Sequence, residues 1–403
     1  MKPALNGRVA VTGIGVISPV GIGVKEFWDG LSRPAAAQAI RRLTDFDPRL
    51  RLSHKLARTT DITTQMAIAA ADEALADAGL LADSGPDLAD VDPDRAAVVL
   101  GTATGGLTTL EAQAEVLARL GDRKVSPHLV PMAIPNAAAA ALSIRYGLRG
   151  SASTITTACA AGTDATDAIA AGAKLVASGA ADVVLAGGSD SSLTPTLTAG
   201  FTNMRALTPT GISRPFDVDR DGTAASEASG VLVLEPLEKA LARDAHVYLT
   251  VDGTAATADA HHTTAPIPTG SGAERCMRLA IEDAGYTPGD ITHINAHGTS
   301  TPLNDDAEAL AIRRVFGASR PLVTSIKGAT GHSFGAAGAL EAVAVALTIA
   351  HATVPPTLGL STQDPDFDID VARSPTPWTP GPVLSNSFGF GGHNGSLVFS
   401  PVG

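Results

Sequence analysis

The sequence predicts a layered α/β fold built from two similar halves, and three observations predict it. Short runs rich in Val, Ile and Leu alternate with longer Ala-rich stretches at helical spacing, the pattern of strands covered by helices. Hydrophobic residues make up 44% of the 403 residues while aromatics make up only 4%, and small side chains let helices lie close on sheets. The third is an internal echo. Thr157-Ala158-Cys159-Ala160-Ala161-Gly162 and Thr330-Gly331-His332-Ser333-Phe334-Gly335 each set a chemically able side chain three residues before a glycine, at an expected helix start. A duplicated half would place these helix N-termini face to face across a pseudo-dyad. The boundary is placed near residue 250, giving halves 1–250 and 251–403.

The elements follow in order. Val9 to Gly15 reads as a buried strand ending in a glycine turn. Gly13 and Gly15 invite a dinucleotide reading, but the third fingerprint position is Ser18 and no acidic residue follows at the required spacing, so a structural turn is expected. Thr63 to Ala78 carries Ala, Met, Ile and Leu at helical spacing, and Ser84 to Pro93 is a polar loop. Ala96 to Gly101 is an apolar strand. Ser153 to Thr157 is strand-like and leads through Cys159 into an Ala/Gly helix. Ala181 to Gly188 is a strand running into a glycine turn; Gly230 to Glu235 and Tyr248 to Val251 are further strands.

Composition narrows the function. A net charge of −12 argues against nucleic-acid binding, though not against a local basic patch. The longest apolar stretches are broken by Gly, Ser or Asp before 18 residues, so no membrane span is expected. Met1 to Gly7 runs into a strand without an apolar leader, and two cysteines cannot make a disulfide framework, so a reducing cytoplasm is expected. Of the ten histidines only His261 and His262 are adjacent, and neighbours point apart, so no metal site is expected.

The chemistry gathers at three junctions. A cysteine at a helix N-terminus meets the positive end of the helix dipole and free N–H groups, which favour thiolate; Cys159 occupies such a place. Cys276, mid-helix and without a glycine turn, reads as structural. His297, in Asn295-Ala296-His297-Gly298-Thr299-Ser300-Thr301, is delivered by a short strand to a turn, and His332 follows Lys327-Gly328-Ala329-Thr330-Gly331. Asn386-Ser387-Phe388-Gly389-Phe390-Gly391-Gly392 is a glycine-rich loop without the lysine or following helix of a phosphate site; backbone free to face a ligand is the better account.

Thr157-Ala158-Cys159, Asn295 to Pro302, Lys327 to His332 and Asn386 to Gly392 resemble the signature segments of β-ketoacyl-[acyl-carrier-protein] synthases, closest to the synthase II type and to type II polyketide ketosynthases. The resemblance runs from Val9 to the C-terminal loop. It implies a thiolase fold, with duplicated halves in an α-β-α-β-α layered sandwich, usually dimeric. It implies Cys159 as nucleophile, His297 and His332 as hydrogen-bond donors to an enolate, and Lys327 paired with Glu308. Backbone N–H groups of Cys159 and Phe390 would hold the oxyanion, and Phe390 would swing on Gly389, Gly391 and Gly392 to admit acyl chains. The substrates are carried on the phosphopantetheine of acyl carrier protein, with no other cofactor and no metal. Two histidines, rather than His with Asn or a second Cys, suit decarboxylation of a malonyl unit. Thr104 and Phe201 fall at the acyl pocket; a smaller residue at 104 suits longer or oxygenated chains.

Carrier proteins are acidic, so a basic rim is expected from Arg205, Arg58 and Lys55, with Arg41 and Arg42 as further candidates. Three departures lean toward secondary metabolism. Thr163-Asp164-Ala165-Thr166-Asp167-Ala168 looks like a tandem repeat adding about three residues, close to one helical turn. The Arg205 to Pro215 connection is short, and Asp221 to Glu227 lacks the usual Phe and one Gly. The chain is therefore expected to make β-ketoacyl thioesters in fatty-acid or polyketide synthesis, as a homodimer or with a chain-length-factor partner. A non-catalytic partner subunit lacks the cysteine present here, and a cysteine hydrolase does not fit two widely separated histidines.

Overall fold

The computed structural model describes residues 8–81, 88, 90–157 and 161–402, with the backbone alone at 161 and 162. Ten of the twelve strands of the main sheet, among the described residues, build its two halves. In the first half they are β1 (Val9–Ser18), β2 (Ala96–Gly101), β3 (Ala152–Ile155), β4 (Val183–Asp190) and β5 (Ala228–Pro236). In the second they are β6 (Leu249–Ala258), β7 (His293–Asn295), β8 (Leu322–Thr324), β9 (Val383–Gly389) and β10 (His393–Ser400). The spatial orders are β3-β2-β4-β5-β1 and β8-β7-β9-β10-β6. Counted within each half, both read 3-2-4-5-1.

The strand directions repeat as well. β2 is parallel to β3 and β4, while β5 is antiparallel to β4 and β1. Likewise β7 is parallel to β8 and β9, while β10 is antiparallel to β9 and β6. The halves meet where β1 and β6 pair antiparallel, Val9 opposite Val251 and Val11 opposite Leu249. The duplication that the sequence only hints at is explicit in this topology.

Six helices complete the layers: α1 (Ile62–Asp77), α2 (Ala137–Tyr146), α3 (Ala161–Ala177), α4 (Ser271–Asp283), α5 (Pro302–Phe316) and α6 (Ala337–His351). Period-2 alternation assigns each strand residue to a layer. Ala186, Leu232, Leu234, Val383 and Phe399 face a central core with α3 and α6. Leu185, Val231 and Val233 face outward onto α1 and α2. Ile294, Leu384 and Val398 face α4 and α5. The result is five layers, α-β-α-β-α, and each buried Val or Leu contributes about 1.5–3 kcal/mol.

Two expectations are corrected. β1 continues through Gly13 and Gly15 to Ser18 rather than turning. A Cβ at these glycines would lie 2.1 Å from the Ala74 carbonyl and 2.0 Å from that of Ala70, so they let α1 settle onto the strand. Gly253 repeats the device against Ala280 of α4, at 2.3 Å. β4 likewise continues through Gly187 and Gly188 to Asp190. Second, Phe334–His351 is an 18-residue helical stretch apolar enough to cross a membrane, yet 89% of it is buried within the protein. It is the core helix of the central layer.

Candidate active site

His297 and His332 enter one cavity from separate elements. β7 ends at Asn295, and the chain turns through Ala296 to His297. The backbone N–H groups of His297 and Gly298 donate to the two Glu308 oxygens on α5, at 2.9 and 2.8 Å. His332 follows the helical turn Lys327–Thr330 through Gly331, whose φ of +74° suits glycine. Its backbone is held on both sides: its N–H donates to the Ala224 carbonyl at 2.7 Å, and Ser226 N–H donates to its carbonyl at 2.9 Å.

The two imidazole rings lie 5.4 Å apart between centroids, nearly perpendicular. Phe388 flanks His297, while Phe334 stacks on His332 and carries Phe201 stacked on its other side. Removal from water, reinforced by the Lys327 charge, pushes His332 down to about 3 and His297 well below its ordinary value. Both rings are therefore neutral near neutral pH. Neither Nδ1 has a partner among the described residues. A buried N–H without an acceptor costs more than an unused lone pair, which assigns the proton to Nε2.

Lys327 does not pair with Glu308. Its Nζ meets the Glu341 carboxylate of α6 in a buried ion pair, and donates to the His297 carbonyl at 2.6 Å. Glu341 also accepts from Ser387 Oγ at 3.0 Å, which accepts from Thr166 at 2.9 Å. Glu308 spends both oxygens on backbone N–H groups, and burial pushes it up to about 7. The reason is directional: Glu308 approaches from the outer helix, Glu341 from the central one. Glu341 escaped the sequence reading, although a lone acid in Ala337–His351 was a signal for a buried cation.

The cavity holds about 290 Å³, and its walls include both histidines, Phe201, Thr299, Thr301 and Phe390. Phe390 is not on a free loop: Phe390–Gly392 is the tight turn of the β9–β10 hairpin, with Gly391 and Gly392 at φ +79° and +74°. Gly391 N–H donates to the Thr263 carbonyl at 2.8 Å, and Gly389 lines the cavity beside Phe390. Thr104 lies elsewhere, its hydroxyl 2.8 Å from Ser192 Oγ, and is not among the residues lining this cavity.

Arg205 is exposed at the cavity rim in a left-handed conformation, φ +57°. Lys55 and Arg58 are exposed on the helix His54–Thr59, where Arg58 lines a separate groove with Asp45, Asp47 and Arg49. Arg42 is exposed and donates to the Leu193 carbonyl. Arg41 is a correction: it is only 6% exposed and points inward, so it is no part of a surface rim.

Cys159 lies outside the described residues, as does half of the expected Ser84 to Pro93 loop. Its flanks are described: β3 and Thr156–Thr157 on one side, α3 from Ala161 on the other. The tandem repeat is absorbed within α3, where Asp164 accepts from both the N–H and the hydroxyl of Thr157 at 2.5 Å. Burial pushes Asp164 up to about 7. Cys276 is buried in α4 and pushed up to about 11, an inert thiol.

Residues 33–240 match the family described as "Beta-ketoacyl synthase, N-terminal domain", and residues 248–361 match "Beta-ketoacyl synthase, C-terminal domain". The chain is 41% identical over 421 residues to a 3-oxoacyl-[acyl-carrier-protein] synthase 2 of Synechocystis, covering 97% of each. It is 39% identical to the enzyme of that name in Staphylococcus aureus strain N315, covering 98% of each. Among solved structures it is similar to the ishigamide ketosynthase/chain length factor, with TM-score 0.89 and 35% identity over 98% of this chain and 100% of that one. It is also similar to a ketosynthase bound to a hexaketide and complexed with its type II PKS acyl-carrier protein. That match has TM-score 0.87 and 29% identity over 98% of this chain and 100% of that one.

Proposed function

We propose, from the premise that this chain belongs to the beta-ketoacyl synthase family, that Cys159, His297 and His332 carry the two half-reactions of a decarboxylative Claisen condensation. The chain is an acyltransferase of the 3-oxoacyl-[acyl-carrier-protein] synthase type. The observation that carries the assignment of roles is the pair of neutral imidazoles on one cavity wall, 5.4 Å apart.

The Cys159 thiolate attacks the thioester carbonyl of an acyl chain on its carrier, and the phosphopantetheine thiol leaves. A malonyl carrier then enters and its C–C bond to the carboxylate breaks, releasing carbon dioxide. The electron pair moves onto the thioester oxygen as an enolate. Nε2–H of His297 and of His332 donate to that oxygen as its charge grows, and being neutral they do not quench the carbanion. The carbanion attacks the acyl-Cys159 carbonyl, the thiolate leaves, and a β-ketoacyl carrier departs. Lys327 positions the site through the His297 carbonyl, and Glu341 holds Lys327.

Acyl carrier protein is the partner, its phosphopantetheine arm entering past Phe390 and the hydroxyls of Thr299 and Thr301. Arg205 at the rim faces its acidic surface. Arg205→Glu is expected to raise the KM for the carrier substrate more than that for a small thioester. The second protomer is a copy of this chain or a chain-length factor. The resemblance alone supports a pocket-floor role for Thr104, which does not line this cavity; Thr104→Ile is expected to shift the chain-length profile, and an unchanged profile rejects the role.

Intact-mass analysis tests the reading. An acyl adduct on the Cys159 peptide, with β-keto product only once malonyl carrier is added, is expected. Free fatty acid without product would identify a hydrolase, and no adduct would identify a non-catalytic subunit.

A further inference from the structure

We infer that Arg41 is a positioning residue for His332, acting from inside the protein, an inference that rests on the reading above. Ile40–Arg41 pairs in parallel with Ala225–Ser226. The latter segment forms a parallel bridge to His332, through the Ala224 carbonyl and the Ser226 N–H. Arg41 therefore stands two short strands behind the imidazole. Its side chain then reaches forward: Nη1 donates to the carbonyls of Gly328 and Ala329, at 3.1 and 2.5 Å. These belong to the turn Lys327–Thr330, which presents Lys327 and leads through Gly331 into His332. Arg41 thus meets both segments that hold His332, pairing by its backbone with Ala225–Ser226 and bonding by its guanidinium to the preceding turn.

The charge is the informative part. Arg41 is 6% exposed, its Nε is buried without a partner, and no carboxylate pairs with it among the described residues. Burying an unpaired guanidinium is costly. An apolar side chain would pack the same space at lower cost, but it would leave two backbone carbonyls at the end of a short turn without this donor. The cost is concentrated at two carbonyls, four and three residues before the one whose ring must hold its aim.

The test separates the half-reactions. Arg41→Met and Arg41→Lys are compared with wild type for the rate of Cys159 acylation by an acyl carrier, the rate of carbon dioxide release from malonyl carrier protein, and the thermal midpoint. Arg41→Met is expected to slow carbon dioxide release by about tenfold or more, the scale of a sub-ångström misplacement, while acylation stays within about twofold. Arg41→Lys, which keeps a cationic donor, recovers part of the loss. Parallel falls in both half-reactions, a lowered midpoint with unchanged release, or no change would overturn the inference. If Arg41→Met does not fold, Arg41→Lys and Arg41→Gln decide it by the same ratio. Absence of carbon dioxide release in wild type would instead defeat the condensation reading itself.

Discussion

Replacing Lys327 by Met perturbs the charge pair on which the site is built. Both groups are buried, with Lys327 and Glu341 each 1% exposed. Removing the lysine leaves a buried carboxylate whose remaining described donor is Ser387. Breaking such a pair from one side costs about 3–5 kcal/mol. At about 2.1 cal/mol/K per residue, a 403-residue chain unfolds with an entropy of roughly 0.8 kcal/mol/K, so a loss of about 4 kcal/mol lowers the midpoint by about 5 °C. Lys327→Met with Glu341→Leu removes both charges, and an apolar pair of similar volume is nearly neutral. Calorimetry on wild type, both single variants and the double variant closes the cycle. The double variant is expected to fall no further than either single one. Losses that add, or a lysine variant as stable as wild type, would refute the pairing. Condensation should fall by about 10- to 100-fold in Lys327→Met, because the His297 carbonyl loses its anchor.

Other outcomes follow from the same geometry. His293 is buried on β7, both ring nitrogens lack a partner among the described residues, and burial pushes it down to about 3. A histidine with a depressed native value is neutral when folded but takes up a proton when unfolded below about 6.5. Its stabilising neutrality is therefore lost as pH falls from about 6.5 toward 3. His293→Leu should stabilise the protein at pH 5 by about 2 kcal/mol more than at pH 8, read by denaturant unfolding at each pH. Gly15→Ala places a Cβ 2.0 Å from the Ala70 carbonyl, so α1 must lift from β1; a loss of about 1–3 kcal/mol is expected, and an unchanged denaturation midpoint would contradict it. Phe334→Leu removes the ring stacked between His332 and Phe201; product formation should slow while Cys159 acylation persists.

Much of this fold is written locally. The run Ala96-Ala97-Val98-Val99-Leu100-Gly101 is a strand to its last residue, because a short β-branched run next to a turn has few alternatives. The histidines were legible for the same reason, each following a short element and standing beside a glycine. The glycines of β1 were not: a turn glycine and a close-packing glycine look alike in sequence, and only the position of α1 separates them. Arg41 and Arg42 are also equivalent in sequence, but in a short parallel pairing successive side chains point to opposite faces, so one is buried and its neighbour exposed. The resemblance pairs Lys327 with Glu308, and only the layers show that its partner is Glu341. The central helix supplies the acid that reaches the lysine, and the outer helix supplies the one that caps the His297 turn.

The most direct test of the mechanism is carbon dioxide release from malonyl carrier protein by His297→Ala and His332→Ala, followed from pH 6 to pH 8 beside wild type. Each variant should still acylate Cys159 yet release carbon dioxide about 10²- to 10³-fold more slowly, the scale of losing one oxyanion donor. With His332 held near 3 and His297 also depressed, the wild-type rate should show no step from imidazole protonation across that range. Release that survives both substitutions, or a wild-type rate that collapses as an imidazole near 6.5 takes up a proton, would contradict the account.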